Sequence, residues 1–125
     1  MQYLLTIWME ETDFELTPEA MEPWAAFNNE AAAAGVLRGG SGLQSSTTAT
    51  TVRGGGEVVL TDGPFVETKE QLAGYYVVDC ADLDEAIAWA KKVPAVLWGA
   101  AIEVRPTAGG TDIAENSDAA GTAAS

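Results

Sequence analysis

The sequence predicts an α+β domain with a ferredoxin-like βαββ(β)βαβ sheet and two helices on one face. Three observations carry that prediction: extended segments with apolar residues on both sides, two helices with recognisable caps between them, and a glycine-punctuated stretch mid-chain. At 125 residues, 47% of them hydrophobic, the chain is long enough for one core and too short for two comfortable ones.

Residues 3 to 9 alternate Tyr3, Leu5, Ile7 and Met9 with Leu4, Thr6 and Trp8, so a first strand needs a cover on each side. Leu16-Thr17-Pro18-Glu19 starts a helix, with Thr as N-cap, Pro at the first helical position and an early acid. That helix ends at Gly35 and has apolar positions at Met21, Trp24, Phe27, Ala31 and Ala34. Pro23 lacks a backbone donor, so the helix either bends there or begins there.

Val36 to Gln44 predicts an irregular strand interrupted by Gly39, Gly40 and Gly42. Thr47 to Arg53 and Glu57 to Thr61 predict a hairpin turning at Gly54-Gly55-Gly56. After the loop Asp62-Gly63-Pro64-Phe65, Leu72 to Cys80 reads as a strand rich in Tyr and Val. Asp82-Leu83-Asp84-Glu85 is a capping box: Asp82 accepts from first-turn amides and Glu85 reaches back three residues. Leu83, Ile87 and Ala90 form this second helix's apolar stripe, Lys91 and Lys92 suit its negative end, and Pro94 stops it. In the last strand, Ala100 to Arg105, Ile102 and Val104 face one way while Ala101, Glu103 and Arg105 face the other.

Residues 1–105 therefore make the domain, and 106–125, rich in Gly, Ala, Thr and Ser, predict a disordered acidic tail. Two helices cover only one sheet face. Burying the large apolar groups of the other, at about 25 cal/mol per Å², is a driving force for pairing with a second copy as a homodimer.

Composition removes several function classes. Six basic against nineteen acidic residues give a charge of −13, and without the tail carboxylates Asp112, Glu115 and Asp118 the body still carries 16 acids against six bases. Such a surface repels phosphate backbones and anionic bilayers, so no nucleic acid and no membrane is expected as partner. No apolar run reaches the roughly 20 residues of a spanning helix, and the start does not read as a secretory signal. Cys80 is the single cysteine, which suits a reducing compartment and a cytoplasmic location. With no histidine, triads, His–Asp dyads and zinc sites are unavailable.

The segments Ala34-Gly35-Val36-Leu37, Gly42-Leu43-Gln44, Ala49 to Arg53, Asp82 to Ala86, Ile102 to Pro106 and above all Thr61 to Tyr76 resemble the DGPF branch of the YCII-related proteins. That resemblance implies a dimeric α/β barrel, two ferredoxin-like subunits packed sheet on sheet. It also implies a His–Asp pair in the barrel cleft of some members, and dehydrochlorination of an aromatic intermediate in one relative branch. Asp62 matches the aspartate of that pair. The histidine position falls near Trp24, and this chain has none. Members are also often encoded beside extracytoplasmic-function sigma factors, which implies a regulatory role.

Candidate site residues follow. Asp62 reads either as a turn aspartate pinning its own loop or as a carboxylate at the cleft mouth, a general base. Glu103 and Arg105 form a surface or interface ion pair, or Arg105, Arg38 or Arg53 clamps a ligand carboxylate through its guanidinium fork. Tyr75, with Tyr76 and the tryptophans, supplies core aromatics or the wall of a cleft for a flat ligand. Arg38-Gly39-Gly40-Ser41-Gly42 lacks the Lys-Ser/Thr ending of a P-loop and reads as a bulged, close-packed strand. Cys80 reads as a structural thiol, and capping accounts for Asp82 to Glu85 without a metal. No cofactor is expected. The two functional readings are a lyase- or isomerase-type enzyme with Asp62 as base, and a non-catalytic sensor or protein-interaction module, linked to sigma-factor regulation through the resemblance.

Overall fold

The computed structural model describes residues 1–12 and 17–108. Its elements are β1 (Gln2–Glu10), α1 (Pro18–Ala33), β2 (Leu37–Gly42), β3 (Thr50–Arg53), β4 (Val59–Asp62), β5 (Glu70–Asp79), α2 (Leu83–Lys91) and β6 (Ala101–Pro106), with short 3₁₀ turns at Ser46–Thr48 and Pro94–Trp98. Four strands form one sheet in the order β2–β5–β1–β6, with every neighbouring pair antiparallel. A helix after β1 and another after β5 complete the ferredoxin-like arrangement.

The alternation of β1 divides as its sequence requires. Tyr3, Leu5 and Ile7 are buried under the helices, and Leu4, Thr6 and Trp8 lie half-buried on the open side. Tyr76 and Val78 of β5 join the covered side, where Phe27 packs its ring 4.9 Å from that of Tyr76 and 6.1 Å from that of Trp89. Tyr76 keeps its polar end satisfied by donating to Asn28 Oδ1 at 2.7 Å.

Thr17 caps α1, accepting from the Ala20 amide at 3.1 Å, and Pro18 opens the helix. The helix thus begins five residues before Pro23, which lies inside it with no N–H for the Glu19 carbonyl. At the other end the amides of Gly35 and Val36 donate to the Ala32 and Ala31 carbonyls, a Schellman ending that needs the positive φ of 75° at Gly35. Phe27 and Ala31 are buried as the spacing predicts, whereas Met21 stays 43% exposed.

In α2 the Glu85 amide donates to Asp82 Oδ1 at 2.9 Å, and the Glu85 carboxylate accepts from the Ala81 amide, one residue beyond the predicted reach. The buried stripe is Ala86 and Ala90, while Leu83 is left exposed. Small residues let this short helix lie close to the sheet. Pro94 ends no helix directly; it opens the 3₁₀ turn that leads into β6, a turn the sequence reading passed over.

β2 is bulged, its register with β5 shifting between Leu37 and Gly39. A Cβ at Gly40, whose φ is 154°, would stand 2.6 Å from the Tyr75 carbonyl oxygen, so the strand packs as closely as its glycines predict. Among the described residues, β3 and β4 pair only with each other, as a separate hairpin. Asp62, read from sequence as a loop residue, is the last residue of β4.

Pairing with β1 extends to Pro106, opposite Tyr3, and to Thr107, whose amide donates to the Gln2 carbonyl at 3.0 Å. The predicted tail lies outside the described residues from 109 onward. Among the described residues, no helix is long and apolar enough to cross a membrane.

Candidate functional site

The uncovered face of the sheet is laid out in cross-strand rows. Val77, Leu4 and Arg105 form one row across β5, β1 and β6, and Tyr75, Thr6 and Glu103 form the next. Leu72, Trp8 and Ala101 form a third, with the Trp8 indole donating to Thr6 Oγ1 at 2.9 Å. Ile102 and Val104 pack toward the core, so strand parity turns Glu103 and Arg105 outward as predicted. Arg105 Nη2 lies 2.9 Å from Glu103 Oε1, in an ion pair still largely exposed to solvent. An apolar floor of Leu4, Val77 and Tyr75 therefore carries the Arg105 guanidinium at its β6 edge.

Other candidate residues lie elsewhere. Arg38 turns back to α1, donating to the Gly35 carbonyl at 2.8 Å and pairing with Asp79 at 3.5 Å. The N-terminal ammonium, through its hydrogen bond to Asp79, and then Arg38 hold that carboxyl below its ordinary range. Arg53 stays on the hairpin, its guanidinium 4.8 Å from the centre of the Phe65 ring. Asp62 is exposed at the hairpin's base, and its carboxylate takes no hydrogen bond among the described residues. The loop is pinned without it: the Gly63 amide donates to the Ala49 carbonyl at 2.7 Å, and Thr51 Oγ1 donates to the Gly63 carbonyl. Trp24, near the position where related proteins imply a histidine, sits on α1 against Trp98, with ring centres 6.1 Å apart. Within one chain, the fold joins Tyr75, Glu103 and Arg105 on one face and leaves Asp62, Arg53 and Arg38 off it.

A surface cleft of about 720 Å³ opens at one end of this face, between Trp8, Lys69, Glu70 and Glu103. Of the candidate residues, Glu103 and the aromatic Trp8 line it, and Asp62, Arg38, Arg53, Tyr75 and Arg105 do not. Glu10 and Glu70 stand directly opposite each other there, an unfavourable pairing relieved by Lys69, which contacts Glu10 at 3.0 Å. The sequence reading missed this acidic corner. Trp8 could have been placed by parity with Thr6, but opposing Glu10 to Glu70 requires the β1–β5 register. Among the described residues, no three His, Cys, Asp or Glu side chains come together as metal ligands.

Together these features define a class: a ferredoxin-like α+β protein whose sheet is covered by helices on one side and, among the described residues, left open on the other. The chain belongs to the YCII-related domain family, which it matches over residues 1–108. It is also 41% identical over 85 residues to an uncharacterised protein of Rhizobium meliloti (strain 1021), an alignment covering 67% of this chain and 65% of that relative. The chain thus spans just under two thirds of the length of the curated relative it matches.

Proposed function

We propose that this protein works in the cytoplasm as a homodimer and binds a small anionic, flat molecule on the open sheet face, inside the cleft formed when a second copy covers that face. The observation carrying this reading is the Glu103–Arg105 pair placed on an otherwise apolar floor. There Arg105 is the anion clamp, Glu103 fixes its guanidinium, and Tyr75 offers its ring to a planar ligand. With Asp62 as general base, the reaction is of the lyase or isomerase type: a proton leaves a carbon next to an electron-withdrawing group. The acidic surface supports the same reading by disfavouring nucleic acid and anionic membranes as partners.

A second reading, a non-catalytic sensor or protein-interaction module tied to sigma-factor regulation, is favoured by one specific feature. Asp62 is solvated and takes no hydrogen bond among the described residues, and no histidine is present to pair with it. A sensor keeps the pocket and omits the chemistry.

The test is a thermal-shift screen against small carboxylates, phenols and aromatic lactones, run on the natural chain, Asp62→Asn and Arg105→Gln. A ligand at 100 times its Kd stabilises the fold by about 2.7 kcal/mol. The expected result is a stabilising ligand whose effect is lost in Arg105→Gln, with the unliganded variant still folded. Conversion that disappears in Asp62→Asn makes the protein an enzyme; binding retained there without conversion makes it a sensor. A set of ligands that shifts none of the three chains would end the small-molecule reading.

A further inference from the structure

The β3–β4 hairpin is unexplained by the fold of a single chain. It forms its own two-stranded sheet, and no residue from Thr50 to Asp62 is buried. An isolated hairpin of this kind is marginally stable in water. Yet Val52 and Leu60, directly opposite each other, are 65% and 68% exposed, and Val58, Val59, Phe65 and Val66 lie between 51% and 68%. Alternation puts Thr50, Val52, Leu60 and Asp62 on one side of the hairpin and Thr51, Arg53, Val59 and Thr61 on the other. Asp62 therefore shares a side with two apolar residues that need a cover.

We propose that the β3–β4 hairpin is an arm that docks on the open sheet face of a second copy of this chain and places Asp62 beside that copy's Arg105, so that each site is built from two chains. The proposal rests on the open face being the ligand site and adds where its base comes from.

Three observations select a second copy as the occupant. Among the described residues, the arm and the open face both present apolar surface, and one two-fold axis covers both at once. On the side of the arm that carries Asp62, Val52 and Leu60 expose 65% and 68% of their surface, apolar area that contact with a second copy removes from water. The charges also complement. Arg105 is the basic side chain of the open-face rows, and a guanidinium with five donors has room for Asp62 beside Glu103.

The topology fits the same docking. β2 and β6 are the two edge strands, and the chain leaves β2 to enter the arm. Two such sheets stacked about a two-fold axis parallel to their strands place β2 of one over β6 of the other, where Arg105 lies. The arm's root is fixed for that reach. The Glu11 carboxylate, just past β1, accepts from both the amide and the hydroxyl of Ser46 in the turn that precedes β3.

Two measurements test the arm without any ligand. The double variant Val52→Lys/Leu60→Lys changes only side chains already exposed, so its circular dichroism should match the natural chain while its dimer dissociation constant, from sedimentation equilibrium, rises at least about 100-fold. In parallel, Asp62→Cys and Arg105→Cys chains are co-expressed with different tags and treated with a short bismaleimide. Cross-linking between unlike chains is expected, and none within either single variant's own monomer. A natural chain that stays at 13.0 kDa, an unchanged dissociation constant in the lysine variant, or copurifying unlike chains that do not cross-link would each overturn the arm. Ligand shifts that vanish in Arg105→Gln while unlike chains fail to cross-link would leave the binding reading standing and remove the arm; cross-linking without any ligand would do the reverse.

Discussion

Cys80 closes β5 with its side chain in the core, 2% exposed. Burial, and then the neighbouring Glu85 carboxylate, push its thiol up to about 11. The thiolate is the reactive form, so both access and charge protect this residue. A disulfide reagent at pH 8 should leave the native chain unlabelled and titrate one thiol per chain in urea; rapid labelling of the folded protein would contradict the placement. The fold favours the protonated thiol, so its contribution is complete below the ordinary value of 9.0 and is lost as pH rises through about 11. The melting temperature should accordingly fall more steeply over that window in the natural chain than in Cys80→Ala. Glu11 titrates with the opposite sign. Its hydrogen bonds from the Ser46 hydroxyl and amide lower its pKa, so the clamp is present above the ordinary value of 4.5 and is lost as pH falls through the lower folded value. The Ser46 amide resonance should report that midpoint below 4.5. At this scale the sequence was readable where parity or capping decides, as at Glu103, Arg105 and Asp82. It named Arg38 as a candidate clamp but could not place it, because the bulge beside it breaks parity, and it was silent on Glu11, whose partner is 35 residues away.

The elements differ in how sharply a single change should register. Gly40 lies where a Cβ would meet the Tyr75 carbonyl oxygen at 2.6 Å and the Tyr76 ring at 2.7 Å. Backbone cannot yield as a side chain can, so Gly40→Ala should destabilise by about 2 kcal/mol or more, read from urea unfolding. Asp82→Ala removes only an exposed cap and should cost about 1 kcal/mol. A smaller effect for Gly40→Ala than for Asp82→Ala would mean that β2 is not held as closely to β5 as the register requires. Strands and helices were legible because alternation and caps are local signals. The hairpin's separation was not: Thr47–Arg53 and Glu57–Thr61 have the same pattern whether they extend the main sheet or stand apart. The 3₁₀ turn was hidden for a related reason, since proline both ends one helix and opens another.

For the whole molecule, charge and apolar surface pull in opposite directions. Each chain carries a formal −13, so bringing two together concentrates like charge, while the open face and the hairpin expose apolar groups that only contact can remove from water. Salt separates the two contributions. At 0.1 M the screening length is roughly 10 Å and at 1 M roughly 3 Å, so added salt weakens repulsion between the two bodies while leaving apolar burial intact. If the dimer is held by apolar surface against this repulsion, its dissociation constant should fall as sodium chloride rises from 0.02 to about 0.5 M, the range over which screening changes most. An interface held chiefly by ion pairs would respond in the other direction. The contact between Arg105 and Asp62 of different copies is a minority of the charges involved, so it should reduce the slope without reversing it. Sedimentation equilibrium across that salt range, repeated with Arg105→Gln, resolves both terms: a tightening natural dimer, and a variant that tightens more steeply because one attraction opposing the trend has gone.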